Sequence, residues 1–151
     1  MKVLVQRSLV SSVEVDGTCI GKISSGMVVL VGFTHTDTIK EIEELVSKLL
    51  RLRIFDDEAG VMNRSILDTQ GQILCISQFT LYGSTKKGNR PSYVAAMPGE
   101  QAKALYELFC DQLSASVTVK RGIFGANMKV QITNDGPVTI LLESRKENVK
   151  E

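Results

Sequence analysis

The chain has 151 residues, of which 43% are hydrophobic and 23% charged, as expected for one globular domain. Its 18 Lys and Arg against 17 Asp and Glu leave a formal net charge of +1, so the overall charge does not indicate a nucleic-acid partner. No apolar run approaches the roughly 20 residues that a membrane span needs, and the alternating, charged N-terminus is unlike a signal peptide. A cytoplasmic protein with no membrane association is predicted.

Side chains that hold metals or activate nucleophiles are few and scattered. His35 is the single histidine, and no Cys or carboxylate is spaced around it as a zinc site requires. The cysteines, Cys19, Cys75 and Cys110, are odd in number and far apart, which predicts buried reduced thiols. We therefore predict no metal site and no cofactor.

Turn and capping signals separate the predicted elements. Asp16-Gly17 is a strong hairpin signal between two alternating segments. Thr38 and Glu41 have the spacing of a capping box, which begins a helix predicted over residues 38–51. Pro98 suits the first turn of a second helix. Strands are predicted over residues 2–6, 12–16, 18–24, 26–33, 72–82, 116–120, 128–133 and 138–143.

Short connections between most of these strands favour antiparallel pairing, and two helices cannot cover both faces of a parallel sheet. The predicted fold class is therefore α+β, with curved antiparallel sheets closing toward a barrel and helices packed outside. Residues 1–144 are predicted to form a single domain, followed by a charged C-terminal tail over residues 145–151.

Positive charge is concentrated in two segments that contain no acidic residue. Such an asymmetry is compatible with a face that meets a polyanion, and equally with solvated loops. The cations are Lys86, Lys87 and Arg90 in the first segment, and Lys120, Arg121 and Lys129 in the second.

Ser77-Gln78-Phe79-Thr80 places two hydroxyls, an amide and an aromatic ring at the end of a predicted strand. Strand alternation would put Ser77 and Phe79 on one face and Gln78 and Thr80 on the other. Both a polar pocket and an exposed polar sheet face fit this pattern. Thr80 as a nucleophile would need a base, and the sequence offers no obvious one.

Asn134-Asp135-Gly136-Pro137-Val138-Thr139 contains a turn signal before a strand. An ordinary turn and a cis Gly136-Pro137 peptide are both compatible with it. A rigid Gly-Pro would present main-chain carbonyls in a fixed direction, which is one way to sense the shape of a ligand.

Together, residues 77–81 and 134–139 resemble the two signature motifs of the D-aminoacyl-tRNA deacylases, also called D-tyrosyl-tRNA(Tyr) deacylases. The resemblance extends from Met1 to about Ser144. It departs from the family pattern at Asn127, where the family has Asp. Further segments that agree in order are residues 5–7, 30–35, 52–55, 87–92 and 124–128.

The resemblance implies a homodimer of barrel-like α+β subunits that hydrolyses the ester joining a D-amino acid to the 3′ end of tRNA. Free D-amino acid and tRNA are released, as chiral proofreading in translation. A Gly-cisPro gate from one subunit enters the pocket of the other and excludes L-amino acids. Main-chain groups and the terminal ribose 2′-hydroxyl, rather than a side-chain nucleophile, would carry the catalysis.

The same resemblance assigns the site residues. Arg7 is assigned to substrate binding because it would hold the gate in place. The catalytic pocket is Ser77, Gln78, Phe79 and Thr80; the gate is Gly136 and Pro137; the other substrate-binding residues are Phe124, Gly125, Ala126 and Met128. Independently of the resemblance, the basic loop predicts that Lys86, Lys87 and Arg90 contact tRNA phosphates.

Three rival functions remain open at this point. A non-enzymatic tRNA-binding module would keep the basic segments without needing a gate. A deacylase acting on glycine mischarged to a non-cognate tRNA would use the same pocket, because glycine has no side chain for the gate to reject. A small-molecule hydrolase is disfavoured by the two basic segments.

Overall fold

A computed structural model describes residues 1–144, and the predicted tail lies outside them. The helices are α1 (Ile39–Arg51), α2 (Ile66–Thr69) and α3 (Gly99–Ser114), with a 3₁₀ turn over Phe79–Tyr82. The strands are β1 (Lys2–Ser8), β2 (Ser11–Val15), β3 (Thr18–Ile23), β4 (Gly26–Gly32), β5 (Phe55–Asp56), β6 (Met62–Arg64), β7 (Gln72–Ser77), β8 (Val119–Arg121), β9 (Met128–Gln131) and β10 (Asn134–Glu143).

Three layers result from the way β4 and β7 bury both of their faces. Val29 and Val31 of β4 face a core shared with α1 and α3. Val28 of β4 and Leu74 of β7 face a second core against the three-stranded sheet β3-β2-β9. The central sheet, in the order β10-β1-β4-β7-β8, therefore lies between helices on one side and the smaller sheet on the other. This burial explains the continuous apolar run of β4.

The α+β class is confirmed, and two details of the predicted architecture are not. β7 pairs in parallel with both β4 and β8, although the sequence favoured antiparallel pairing throughout. The two connections that contain α1 and α3 are long crossovers, which parallel strands require. None of the sheets formed by residues 1–144 closes into a barrel.

Local signals in the sequence correspond to the observed turns and caps. Thr38 and Glu41 form the predicted capping box at the start of α1. Asp16 and Gly17 adopt φ of 50° and 79°, the left-handed conformation of the favoured hairpin turn. Cys75 and Cys110 are buried as predicted, but Cys19 is exposed, because its strand lies at the edge of the small sheet. No helix within residues 1–144 is long and apolar enough to cross a membrane.

Candidate functional site

A cavity of ≈ 470 Å³ lies where β4 and β7 end, beside the start of α3. Its polar side chains are Ser77, Gln78 and Asn127, all of them uncharged. The remaining lining is apolar or glycine: Val31, Gly32, Phe33, Ile76, Phe79, Met97, Gly99, Ala102, Phe124, Gly125, Ala126, Met128 and Val130. The cavity thus unites two segments, 77–79 and 124–128, that lie far apart in the chain.

The first wall is the turn in which β7 ends. The predicted strand over residues 72–82 is wrong beyond Ser77, because the amide of Gln78 makes the last sheet bond, to the carbonyl of Val31 at 2.7 Å. The chain then tightens into the 3₁₀ turn, with the amide of Leu81 donating to the carbonyl of Gln78 at 3.3 Å. Strand alternation therefore does not govern which way Phe79 and Thr80 point.

The hydrogen bonds of this turn leave two main-chain donors available and fix one side chain. Within residues 1–144, the main-chain amides of Phe79 and Thr80 have no hydrogen-bond acceptor, as expected at the start of a helical turn. The side-chain amide of Gln78 donates to the hydroxyl of Thr80. Thr80 itself does not line the cavity, and its contact with the lining is this bond to Gln78.

Gly32 lets β4 approach the same turn closely. A Cβ at Gly32 would lie 2.8 Å from the main-chain oxygen of Gln78 and 3.2 Å from Cβ of Leu81. Both distances are shorter than van der Waals contact allows, and one of the opposing atoms belongs to the backbone. Glycine at this position is therefore what permits the turn to sit against the end of β4.

The second wall is the segment that precedes β9. Gly125 has φ of 79°, and the amide of Ala126 donates to the carbonyl of Ile123 at 3.1 Å, so the segment is a tight turn. The ring of Phe124 lies 5.9 Å from that of Tyr106 on α3. Asn127 also lines the cavity, a position to which the sequence assigned no role. The side-chain amide there is neutral and supplies both a hydrogen-bond donor and an acceptor.

Gly136 and Pro137 lie outside this cavity, in a bulge of β10. We call residues 135–138 the Gly-Pro bulge. It stands opposite a single residue of β1, because the register shifts between Gln6 and Ser8. The Gly136-Pro137 peptide is cis, and both residues are exposed.

Arg7 is the side chain that ties the Gly-Pro bulge to the body of the protein. Its Nε donates to the carbonyl of Asp135 at 3.1 Å, and its Nη1 donates to the carbonyl of Ile54 at 3.0 Å. Nη1 also pairs with the carboxylate of Asp56 at 3.2 Å. Arg7 thus lies against the Gly-Pro bulge and does not line the cavity.

The Gly-Pro bulge and the cavity of the same chain lie at different places on the central sheet. Register places Arg7 beside Met27, whereas Ser77 is beside Val31. The bulge lies on β10, three strands away from β7. At about 3.3 Å per residue and about 4.8 Å per strand, the bulge and Ser77 are separated by about 13 Å along the strands and about 14 Å across them. One chain therefore does not bring its own Gly-Pro bulge to its own cavity.

Lys86, Lys87 and Arg90 lie on the exposed loop of residues 84–97, whose base is an isolated bridge between Ser84 and Ser92. The far end of this loop supplies Met97 to the cavity. Sequence reasoning missed Met97 and the apolar residues of β4, because nothing local marks a buried side chain as facing a cavity rather than the core.

Cys75 is fully buried in the core and does not line the cavity. Burial raises the pKa of the Cys75 thiol, and the neighbouring Cys110 raises this pKa further. The buried thiol is therefore held in its protonated, weakly nucleophilic form.

The fold is mixed α+β, and a partly open cavity without charged side chains lies beside a tight turn, an arrangement compatible with a hydrolase. Comparison with known proteins is specific on this point. The chain belongs to the D-Tyr-tRNA(Tyr) deacylase family, whose model matches residues 4–143.

Relatives of this family match almost the whole chain. A D-aminoacyl-tRNA deacylase of Clostridium tetani is 54% identical, over 97% of this chain and 99% of its own. Another, of Bacteroides fragilis, is 53% identical, over 96% of this chain and 98% of its own.

Solved structures give the same fold. A protein described as c-Myc DNA Unwinding Element Binding Protein superposes with a TM-score of 0.92 at 48% identity, covering 97% of this chain and 100% of its own. A probable eukaryotic D-amino acid tRNA deacylase superposes with a TM-score of 0.81, covering 93% of this chain and 97% of its own. Its 18% identity supports the fold alone.

Proposed function

We propose that the protein hydrolyses the ester of D-aminoacyl-tRNA, releasing free D-amino acid and tRNA. The observation that carries the proposal is the cavity between residues 77–79 and 124–128 in a member of this family. Its volume of ≈ 470 Å³ accommodates an aminoacyl group and part of a nucleoside. The activity would serve chiral proofreading in the cytoplasm, and glycyl-tRNA would pass the same selection.

An aminoacyl ester is already activated, so the reaction needs a positioned carbonyl, a water and donors for the developing oxyanion. The amides of Phe79 and Thr80 supply unpaired donors beside the cavity. The polar lining side chains, Ser77, Gln78 and Asn127, are hydrogen-bonding groups without a charge. Catalysis by main-chain groups and the ribose 2′-hydroxyl of the substrate matches this inventory better than a side-chain nucleophile does.

Selection against L-amino acids is assigned to the Gly-Pro bulge of a second subunit. The bulge is exposed, and its hydrogen bond to Arg7 holds it in one position, as a group that senses substrate shape must be. Because the bulge lies far from the cavity of its own chain, it would act on the cavity of a second subunit. In this homodimer each Gly136-Pro137 reaches the partner's cavity, where a main-chain carbonyl occupies the space that an L side chain would need. β10 lies at the edge of the central sheet, where a second chain can approach.

The decisive experiment offers one amino acid on tRNA in its D and L forms, with glycyl-tRNA alongside. Release of free amino acid from the D form, and retention of the L ester, is the expected result. Tight binding of both without release would identify a non-enzymatic tRNA-binding module. Equal hydrolysis of D and L esters would leave a deacylase but remove the gate.

Thr80→Ala is expected to retain turnover, with kcat lowered by about tenfold or less, because the hydroxyl only holds the Gln78 amide. Thr80→Ser, which keeps the hydroxyl, serves as the matched control and should behave like the unaltered protein. Single-turnover assays with mass spectrometry check the result. An acyl group trapped on Thr80, or complete inactivity of a folded Thr80→Ala variant, would make Thr80 a nucleophile instead.

Replacing Lys86, Lys87 and Arg90 together by glutamine should raise KM for tRNA and flatten its dependence on salt. Contacts between cations and phosphates release counterions, so each lost contact reduces the slope of log K against log salt by about 1. Steady-state assays from 50 to 200 mM salt measure the effect. The charge-matched control replaces Lys40, Lys48 and Arg51 of α1 by glutamine. If the slope of log K against log salt is the same in both triple variants, the loop cations do not contact tRNA phosphates.

A further inference from the structure

Three apolar side chains at the mouth of the cavity are exposed together. Phe79 lines the cavity yet is 57% exposed, and its ring meets that of Tyr93 edge to face at 5.1 Å between centroids. Tyr93 is 42% exposed and the next residue, Val94, is 82% exposed. Phe79 and Tyr93 therefore form an exposed aromatic pair, which Val94 follows in the chain, and we call these three residues the mouth patch.

The backbone beneath the mouth patch is firmly held. His35 Nε2 hydrogen-bonds to the carbonyl of Val94 at 2.6 Å, and the hydroxyl of Thr34 donates to the carbonyl of Ala95 at 2.6 Å. The ring of Tyr93 lies against Gly83, where an added Cβ would be 3.0 Å from Cε1. Val94 is thus presented to solvent by a constrained loop, so its exposure is a feature of the fold rather than of a loose segment.

We propose that the mouth patch binds the unpaired nucleotides that precede the terminal adenosine of the tRNA. The inference rests on the proposed function and deepens it. A 3′ end whose ester lies in the cavity must leave across the cavity mouth, and Phe79 belongs both to the cavity and to the patch. Aromatic rings with an open face are the usual platforms for unpaired bases.

Charge on the same loop favours this occupant. Lys86, Lys87 and Arg90 precede Tyr93 within residues 84–97, and no ion pair engages them in the described part of the chain. A single strand combines stacking bases with phosphates, so an apolar patch beside three cations matches both of its parts. An apolar peptide would use the patch but leave the cations of the same loop without a role.

The test compares one D-amino acid esterified to adenosine, to a trinucleotide ending in adenosine, and to full tRNA. The measured quantity is the ratio of kcat/KM for each longer substrate to kcat/KM for the adenosine ester. Tyr93→Leu should lower both ratios by about tenfold, in line with the loss of one stacked base. Tyr93→Phe keeps the ring and should preserve the ratios.

A second variant keeps the test valid if Tyr93→Leu does not fold. Val94→Ser changes a side chain that makes little contact with the protein and should lower the ratios by severalfold without a change in melting temperature. Val61→Ser is the matched control, because Val61 is a comparably exposed valine, at 58%, on the distant β5–β6 hairpin.

The possible results separate this inference from the proposed function. Ratios unchanged in both Tyr93→Leu and Val94→Ser would overturn the inference while leaving the deacylase intact. A change of subunit stoichiometry in either variant would make the mouth patch a subunit interface and also overturn it. If the unaltered protein hydrolyses none of the three D-esters, the proposed function itself fails.

Discussion

Gly32→Ala is expected to lower kcat/KM for D-aminoacyl-tRNA by about 100-fold, the cost of misplacing a catalytic turn by about an ångström. The new methyl group would lie 2.8 Å from the main-chain oxygen of Gln78, which cannot move without moving the turn of residues 77–80. The same turn directs the unpaired amides of Phe79 and Thr80. Overpacking should also reduce the free energy of unfolding, by about 1–3 kcal/mol.

Gly21→Ala is the matched control for this substitution. Gly21 is also a strand glycine, but the nearest atoms to an added Cβ lie at 3.4 Å, an ordinary contact. Steady-state kinetics with the D ester, together with thermal unfolding, measure both variants. If folded Gly32→Ala keeps the activity of Gly21→Ala, the turn of residues 77–80 is not where the reaction takes place.

Arg7→Lys is expected to reduce the preference for D over L esters by about 100-fold. The guanidinium holds the Gly-Pro bulge through a fork of bonds, to Asp135 and, on the other side, to Ile54 and Asp56. A lysine ammonium keeps the charge but cannot make these bonds in the same geometry. The bulge would then present its carbonyls in more than one position, and an L side chain would no longer be reliably excluded.

Kinetics on paired D and L esters provide the measurement for Arg7→Lys. Arg121→Lys is the matched control, because Arg121 also bonds a carboxylate, that of Asp111 at 2.7 Å, but touches neither the bulge nor the cavity lining. Analytical ultracentrifugation of the unaltered protein and of the variant tests for the proposed dimer. Unaltered chiral preference in a folded, dimeric Arg7→Lys variant would remove the bulge from the selection of substrates.

In the proposed mechanism, the layered fold lets one short chain supply both the catalytic cavity and the Gly-Pro bulge. The central sheet carries the cavity beside β7 and the Gly-Pro bulge on β10, separated by β1 and β4. Each chain thus holds the candidate cavity at one place and the Gly-Pro bulge at another. In the proposed dimer, the contact with Arg7 fixes the position in which the bulge meets the partner's cavity.

The sequence alone determined the features that rest on local chemistry. The capping box of Thr38 and Glu41, the hairpin at Asp16-Gly17 and the buried strand β4 were predictable because caps, turns and apolar runs depend on neighbouring residues. The two motifs, residues 77–81 and 134–139, also indicated the family from sequence, since their order and content are specific.

Only the tertiary structure decided how distant segments meet. The parallel pairing of β7, the 3₁₀ turn after Ser77 and the approach of Gly32 to that turn depend on neighbours supplied by other strands. Phe79 and Tyr93 are 14 positions apart, and their contact requires the folding of the intervening loop. Periodicity reports which face of one element is apolar, whereas a site depends on which elements that face meets, and this is set by packing over the whole sheet.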